Sequence, residues 1–342
     1  MGGSHAAWAS GLSRHSRHQI DVVSLPDRGW RWRLRASAPW FARQIEALPE
    51  TPDVVLVSGL TDVASLRGLI GRELPLVLYM HESQAPYPRS SDDDGVEAAV
   101  RNWTAMLAAD QVWFNSAYHQ RVAMEAVSHL NDAMPQEQRV HTRDAIRAKS
   151  RVVYPGVHLS WTGARGSRTT PPVILWPHRW EHDKNPKVFE SALDRLVVKG
   201  LDFALVLAGA DGTPPSSHRK SILVRHADRV VAAGPFELSD YRQWLHRSDL
   251  VVSCTAHEFF GLAVVEALAA GCMPVLPNDF SYPEVLGDDN AAFLYEPGTF
   301  GSALETAVKE FPGRSVTIDV TRFDWSHAAP LFDRYLEASA HR

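Results

Sequence analysis

Residues 255–277 read TAHEFFGLAVVEALAAGCMPVLP. A short apolar run, Leu250–Cys254, leads into them, Gly261 sits in a turn, and Leu262–Ala270 is an alanine-rich helical stretch that Gly271 ends. Met273–Leu276, bracketed by Pro274 and Pro277, reads as the next strand. Strand, loop, helix and strand in this order make one parallel βαβ unit. The pattern places Glu258 in the loop after a strand and Glu266 two turns into the helix. The helix start, around Phe260, Gly261 and Leu262, offers unpaired N–H groups and a positive dipole end, which suit a diphosphate. Glu258 is placed to reach the hydroxyls of a sugar lying across that terminus, and Glu266 to accept hydrogen bonds from a ribose diol. For Glu266 taken alone, a solvated helix face is an equally good reading.

The same alternation runs outward in both directions. Upstream in the same half, Val173–Trp176, Phe203–Ala208 and Arg229–Ala232 read as strands, with a helix at Ser239–Arg247. Before them, 161–172 (WTGARGSRTTPP) has the composition of a linker. The first half gives strands at Ile20–Leu25, Val54–Ser58, Leu76–His81, Val112–Asn115 and Val152–Val157. Trp325–Ala338 carries apolar residues at helical spacing and is expected to pack back on the first half. The expectation is an α/β protein of two Rossmann-like domains, 1–160 and 173–322, with a returning helix in 323–342 and a ligand between the halves at the carboxyl ends of the strands. The opening MGGSHAAW looks like a phosphate-binding turn entering a helix with no strand before it, so a first strand upstream of residue 1 is expected.

Bulk composition agrees with two domains. At 342 residues the chain exceeds the ~250–300 at which one core stops growing. Hydrophobic residues at 45% and charged residues at 22% describe a globular protein and exclude a disordered one. No apolar run approaches the ~20 residues that span a bilayer, and no signal peptide opens the chain. Cys254 and Cys272 form no metal or disulfide pattern, so a cytoplasmic protein without stable membrane association is expected. The net charge of −5 excludes a globally basic nucleic-acid binder but not a local stripe. Residues 28–43 supply one: Arg28, Arg31, Arg33, Arg35 and Arg43 alternate with Trp30, Trp32, Trp40 and Phe41. Several of the eleven tryptophans fall in loop-like stretches, where an indole suits stacking on a ligand.

Three further motifs carry chemistry. ILWPHRWEHDKNP, 174–186, places Arg179 and Lys184 in the loop after the first strand of the second half. His178 to His182 also matches the zinc-hydrolase pattern H-x-x-E-H, but Pro177 and Pro186 leave no helix on which two histidines share a face. LVLYMHESQAPYP, 76–88, ends a strand on His81, placed either to meet a bound sugar in the cleft or simply to hydrogen-bond at a strand end. Gly2, Gly3, Ser4 and His5 supply small residues that let backbone approach a phosphate or sugar.

Glu258 and Glu266 at this spacing resemble the E-x7-E signature of retaining family 4 glycosyltransferases of the GT-B fold. More of the chain follows one specific order: GGSH, WRWRLRASAPWFA, YMHESQAPYP, FNS at 114–116, WPHRWEHDKNP, HEFFG and YPEV at 282–285. That order resembles the tRNA-queuosine α-mannosyltransferase family. The resemblance implies GDP-mannose as donor, retention at the anomeric carbon and queuosine at the wobble position of a tRNA as acceptor. It implies that Arg179 and Lys184 clamp the donor diphosphate, so no catalytic metal or other cofactor is expected. Glu258 and His81 then face the reacting sugar, and Gly2, Gly3, Phe260, Gly261, Leu262 and Glu266 hold the nucleotide. Acceptor binding falls to His5, Trp30, Arg31, Arg33 and Arg35. The alternative is a family 4 transferase with a small-molecule, polyol or lipid acceptor. A non-catalytic RNA-binding protein and a zinc hydrolase are the rivals from other classes.

Overall fold

The computed structural model describes residues 3–26, 30–70, 74–83, 93–163, 170–212, 214–311 and 317–341, with backbone alone at 30, 31, 33–35 and 93–95. The elements run α1 (Gly3–His15), α2 (Trp30–Glu46), β1 (Val55–Ser58), α3 (Val63–Ile70), β2 (Leu76–Met80), α4 (Asp93–Ala108), β3 (Gln111–Phe114), α5 (Ala117–Ala133), α6 (Arg143–Ala148) and β4 (Ser150–Val152). There follow β5 (Val173–Trp176), α7 (Pro186–Val198), β6 (Ala204–Leu207), α8 (Ser217–Arg225), β7 (Val230–Ala233), α9 (Leu238–Arg247) and β8 (Leu250–Val252). The last are α10 (Leu262–Ala269), β9 (Met273–Pro277), α11 (Tyr282–Leu286), β10 (Leu294–Tyr295), α12 (Phe300–Glu310) and α13 (Trp325–Ala340). They divide into two compact units: Met1–Gly156 with Trp325–Arg342, and Val157–Asp324.

The first unit is built on a parallel sheet in the order β1-β2-β3-β4. β2 is buried along its whole length because both of its faces are covered. Leu76, Leu78 and Met80 point into one core with Val112 and Phe114 of β3 and residues of α2 to α5. Val77 and Tyr79 point the other way, into a core with Trp8, Trp113, Trp325 and Phe332 from α1, β3 and α13. The second unit has six parallel strands in the order β10-β9-β8-β5-β6-β7. Ile174, Trp176, Leu205, Leu250 and Met273 on one face of its sheet meet Phe189, Leu193, Phe300 and Leu304 of α7 and α12.

The predicted strand Ile20–Leu25 is not one: it has no ladder, half its residues are exposed, and Ile20 packs on the aromatic core beside α1 and α13. The last strand of the first unit lies earlier than predicted. Its ladder closes at Val152, Val153 donates once more to the Phe114 carbonyl at 2.8 Å, and Pro155 has no N–H to continue it. The tryptophan-rich stretch is helical from Trp30 onward, and Trp32 is 76% exposed. Trp113, Trp176 and Trp325, on stretches expected to be strands and a helix, are fully buried core residues.

Trp325 locks α13 into the first unit. A Cβ on either Gly11 or Gly156 would lie inside its indole ring. The ring is therefore held between two backbone segments that only glycine allows to come this close. Gly156→Ala is expected to destabilise the protein by about 1–3 kcal/mol, the range for overpacking a close-packed core. A urea midpoint equal to that of the unaltered protein would contradict this.

Candidate active site

β5 and β8 are neighbours in the sheet, Ile174 opposite Leu250 and Leu175 opposite Val251, so their carboxyl-end loops emerge side by side. The two loops are stitched together. The Asp183 carbonyl accepts from the Ala256 N–H at 2.7 Å and the Thr255 hydroxyl at 2.9 Å, and Asn185 Nδ2 donates to the Cys254 carbonyl at 3.0 Å. Asn185 has φ of 52°, a left-handed conformation that asparagine tolerates, and Pro186 then starts α7.

The stitching fixes Lys184 against Glu258. Lys184 Nζ lies 3.3 Å from Glu258 Oε2 and 3.1 Å from Asp183 Oδ2, and donates to the His257 carbonyl at 3.0 Å. Both side chains are largely buried, at 11% and 19% exposure. Burial alone would lower the Lys184 pKa, but Glu258 and Asp183 outweigh it and hold the ammonium above the ordinary lysine value. Burial would likewise raise Glu258; the Lys184 charge, then His178 and the Phe260 N–H, hold it below the ordinary carboxylate value. The link is thus complete at neutral pH. On the acid side it is lost only as pH falls through the depressed Glu258 value, and on the alkaline side only above the ordinary lysine value.

Two buried imidazoles flank the pair. His178 and His257 are each pushed down to about 4, first by burial and then by the Lys184 charge, so both are neutral at neutral pH. Gly209, after β6, is glycine for a steric reason: a Cβ there would overlap the His178 carbonyl. Beyond Glu258 the chain turns through Gly261, whose φ of 88° disfavours any residue with a Cβ, into α10. No side chain caps that helix and its first turn holds no acid, which leaves its leading N–H groups and dipole for an anion. Glu266 is the fifth residue of α10, one turn in rather than two. Burial raises its pKa, partly offset by the Tyr241 hydroxyl, which donates to Oε2 at 3.1 Å.

The remaining residues singled out from sequence are spread more widely. Arg179 is 65% exposed and pairs with Glu181 at 3.3 Å, apart from the Lys184–Glu258 link. In the first unit His5 and His81 come together, ring centroids 4.3 Å apart, with Trp8 and Tyr79 packed edge-on to His81. Burial, then the neighbouring His5 and His119, hold the His81 pKa well below the ordinary histidine value, and its Nε2 is buried without a partner. Asn115 supports this group: Nδ2 donates to the His81 carbonyl at 2.8 Å and Oδ1 meets His119 Nδ1 at 2.7 Å. Gly3 opens α1 with φ of 58°. Gly2 lies outside the described residues, as do the side chains of Trp30, Arg31, Arg33 and Arg35, whose backbone is in α2. Asp183, Asn185, Tyr241 and Asn115 are not among the residues given a role from sequence, although Asp183 and Asn185 lie in WPHRWEHDKNP and Asn115 lies in FNS, directly after β3. The zinc-hydrolase reading fails on geometry, because His178 is in a coil and His182 in a short 3-10 turn.

Two parallel-sheet units, the second with an uncapped helix start beside a buried Lys–Glu pair, have the architecture of a glycosyltransferase of the GT-B fold. Its fold is similar to that of the catalytic domain of starch synthase IV from Arabidopsis thaliana (TM-score 0.66, 14% identity, 92% of this chain and 79% of that one). It is also similar to that of Anabaena HepE in complex with UDP and glucose (TM-score 0.64, 18% identity, 96% of this chain and 89% of that one). Residues 160–311 match the family "Glycosyl transferases group 1", and residues 1–157 match "tRNA-queuosine alpha-mannosyltransferase N-terminal". The tRNA-queuosine alpha-mannosyltransferase of Drosophila melanogaster is 31% identical over 306 residues, 84% of this chain and 80% of that protein. The chain belongs to the tRNA-queuosine alpha-mannosyltransferase family. A more distant similarity, 23% over 203 residues (56% of this chain and 53% of the relative), links it to the GDP-mannose:cellobiosyl-diphosphopolyprenol alpha-mannosyltransferase of Xanthomonas oryzae.

Replacing Lys184 by Met should raise the Glu258 pKa, because burial then acts with less opposition. Carboxyl-carbon NMR titration of the two proteins reads this directly, and an unmoved Glu258 would show that the pair is not what holds its charge.

Proposed function

We propose that this glycosyltransferase moves mannose from GDP-mannose to queuosine at the wobble position of a tRNA, with retention and without a catalytic metal. The observation that carries the donor half is the fixed Lys184–Glu258 pair directly before the uncapped start of α10. In this reading the N–H groups of Leu262 and its neighbours, with Lys184, hold the diphosphate and take up the charge that builds on departing GDP. Arg179, which is exposed, leaves Glu181 to join them. Glu258 orients the mannose hydroxyls, and Glu266, steadied by Tyr241, holds the ribose. The bond between C1 and the phosphate oxygen breaks as the acceptor hydroxyl attacks from the same face, and its proton passes to that phosphate oxygen. Neutral His81 contributes hydrogen bonding rather than charge at the reacting sugar. The acceptor is assigned to His5 with Trp30, Arg31, Arg33 and Arg35, and Gly2 and Gly3 to close backbone approach at the donor. Family membership supports the acceptor half, since the Drosophila relative bears this activity in its name. Among the described residues no helix is long and apolar enough to cross a membrane.

Incubating queuosine-containing tRNA with GDP-mannose and the protein in EDTA, then digesting to nucleosides, should show queuosine gaining one hexose by mass. Unchanged queuosine, with hexose transfer recovered only on adding a divalent metal, would overturn the metal-free mechanism; no transfer under either condition would overturn the acceptor. Lys184→Ala should lower turnover by at least ~100-fold, the scale of losing one preorganised donor. Glu258→Gln should nearly abolish transfer while leaving the melting temperature close to that of the unaltered protein. Mild and equal effects of Glu258→Gln and Glu266→Gln would remove the two glutamates from the donor site.

A further inference from the structure

The first unit carries a second cationic region, distinct from the tryptophan–arginine stretch. Residues 139–151, RVHTRDAIRAKSR, hold Arg139, Arg143, Arg147, Lys149 and Arg151 against one carboxylate, Asp144, in a chain whose net charge is −5. Some of these cations have structural work. Lys149 donates to the Leu107 carbonyl at 2.7 Å and to that of Ala109, closing the carboxyl end of α4 where a cation suits the helix dipole. Arg139 donates to the carbonyls of Met134 at 3.1 Å and Asp132 at 2.9 Å. Arg143 and Arg147, one turn apart on α6, do neither: both are exposed, and neither has a carboxylate partner among the described residues.

β4 is an edge strand, and the cations continue around that edge. Arg151 on β4 lies over the Tyr335 ring at 4.3 Å, and exposed Arg334 of α13 lies over the same ring at 5.0 Å. The guanidinium groups thus run from α6 on one layer, past the strand, to α13 on the other. α6 precedes β4 and so lies at the amino ends of the strands, whereas His81 follows the carboxyl end of β2. At ~3.3 Å per residue of strand, Arg143 and Arg147 lie on the order of 15–20 Å from the His5–His81 group, while Arg151, level with Trp113 and Tyr79 in the ladder, lies nearer to it.

We propose that this strip docks the phosphate backbone of an RNA stem at a distance from the modified base. The proposal rests on the reading of the acceptor as a tRNA. Guanidinium forks match phosphate oxygens in pairs, and such contacts fix the position of an RNA without reading its sequence. A nucleoside at the His5–His81 end cannot reach Arg143 and Arg147; a whole tRNA can.

The probe is a tRNA transcript made without queuosine, which reports backbone contact alone, bound across 50 mM to 400 mM salt (about an eightfold range, in which counterion release is read as a slope). Arg143→Ala/Arg147→Ala should weaken binding by about tenfold or more at the low end and flatten the log–log salt slope by about 1.5–2, two phosphate contacts' worth. Arg143→Lys/Arg147→Lys should restore most of the slope, since charge is kept, and slow hydrolysis of GDP-mannose without RNA should be the same in all three proteins. Equal slopes in the unaltered protein and the alanine variant would overturn the proposal. So would a loss of affinity with an unchanged slope, or dependence on these arginines of binding to anionic phosphatidylserine vesicles with tRNA binding unmoved. If queuosine-containing tRNA neither binds nor gains a hexose with the unaltered protein, the acceptor reading itself has failed, and the strip falls with it.

Discussion

The parallel pairing of β5 with β8 is the constraint on which the candidate site depends. These strands lie far apart in the chain, 173–176 and 250–252, yet the sheet order sets them side by side and pointing the same way. Every loop at their carboxyl ends then opens on one edge of the sheet. From that follow the shared Asp183 carbonyl, the Asn185 bridge and the Lys184–Glu258 link. A charge pair this far from water is destabilising unless each partner has further polar contacts. Here the His257 carbonyl, Asp183 and the Phe260 N–H supply them, so the pair acts as a rigid charged platform rather than as two mobile side chains.

The neutrality of the surrounding imidazoles is part of the same arrangement. A protonated His178 or His257 would compete with Lys184 for Glu258, and burial with the Lys184 charge prevents it at neutral pH. The site therefore holds one ammonium against two carboxylates, Asp183 and Glu258, all three largely buried.

How much of this was legible in the sequence depended on range. Strands of the second unit, such as Val173–Trp176, announced themselves because a buried parallel strand is a continuous apolar run. Glu258 and Gly261 were found because a strand–loop–helix transition is local. The Lys184–Glu258 contact was not, since no spacing rule connects residues whose meeting depends on strand order. Ile20–Leu25 misled because IDVVSL has strand composition, but composition does not supply a neighbour to pair with. A count of tryptophans does not by itself separate stacking indoles from core ones. Trp113 and Trp176 lie on buried strands, and Trp325 lies between two glycines, where a bulky indole fills space that aliphatic side chains would leave open.

The placement of Trp325 has a consequence for how the chain is made. The first unit's second core is incomplete without α13, because Trp8, Tyr79 and Trp113 pack against Phe332 as well as Trp325. Those residues are synthesised after the whole of the second unit. During translation, which proceeds from the amino end, the earlier half must wait with an open aromatic face while the later half, self-contained from Val157 to Asp324, is free to fold first. The first unit's second core can therefore close only after the second unit has been synthesised, and until then the nascent amino-terminal half presents that aromatic face.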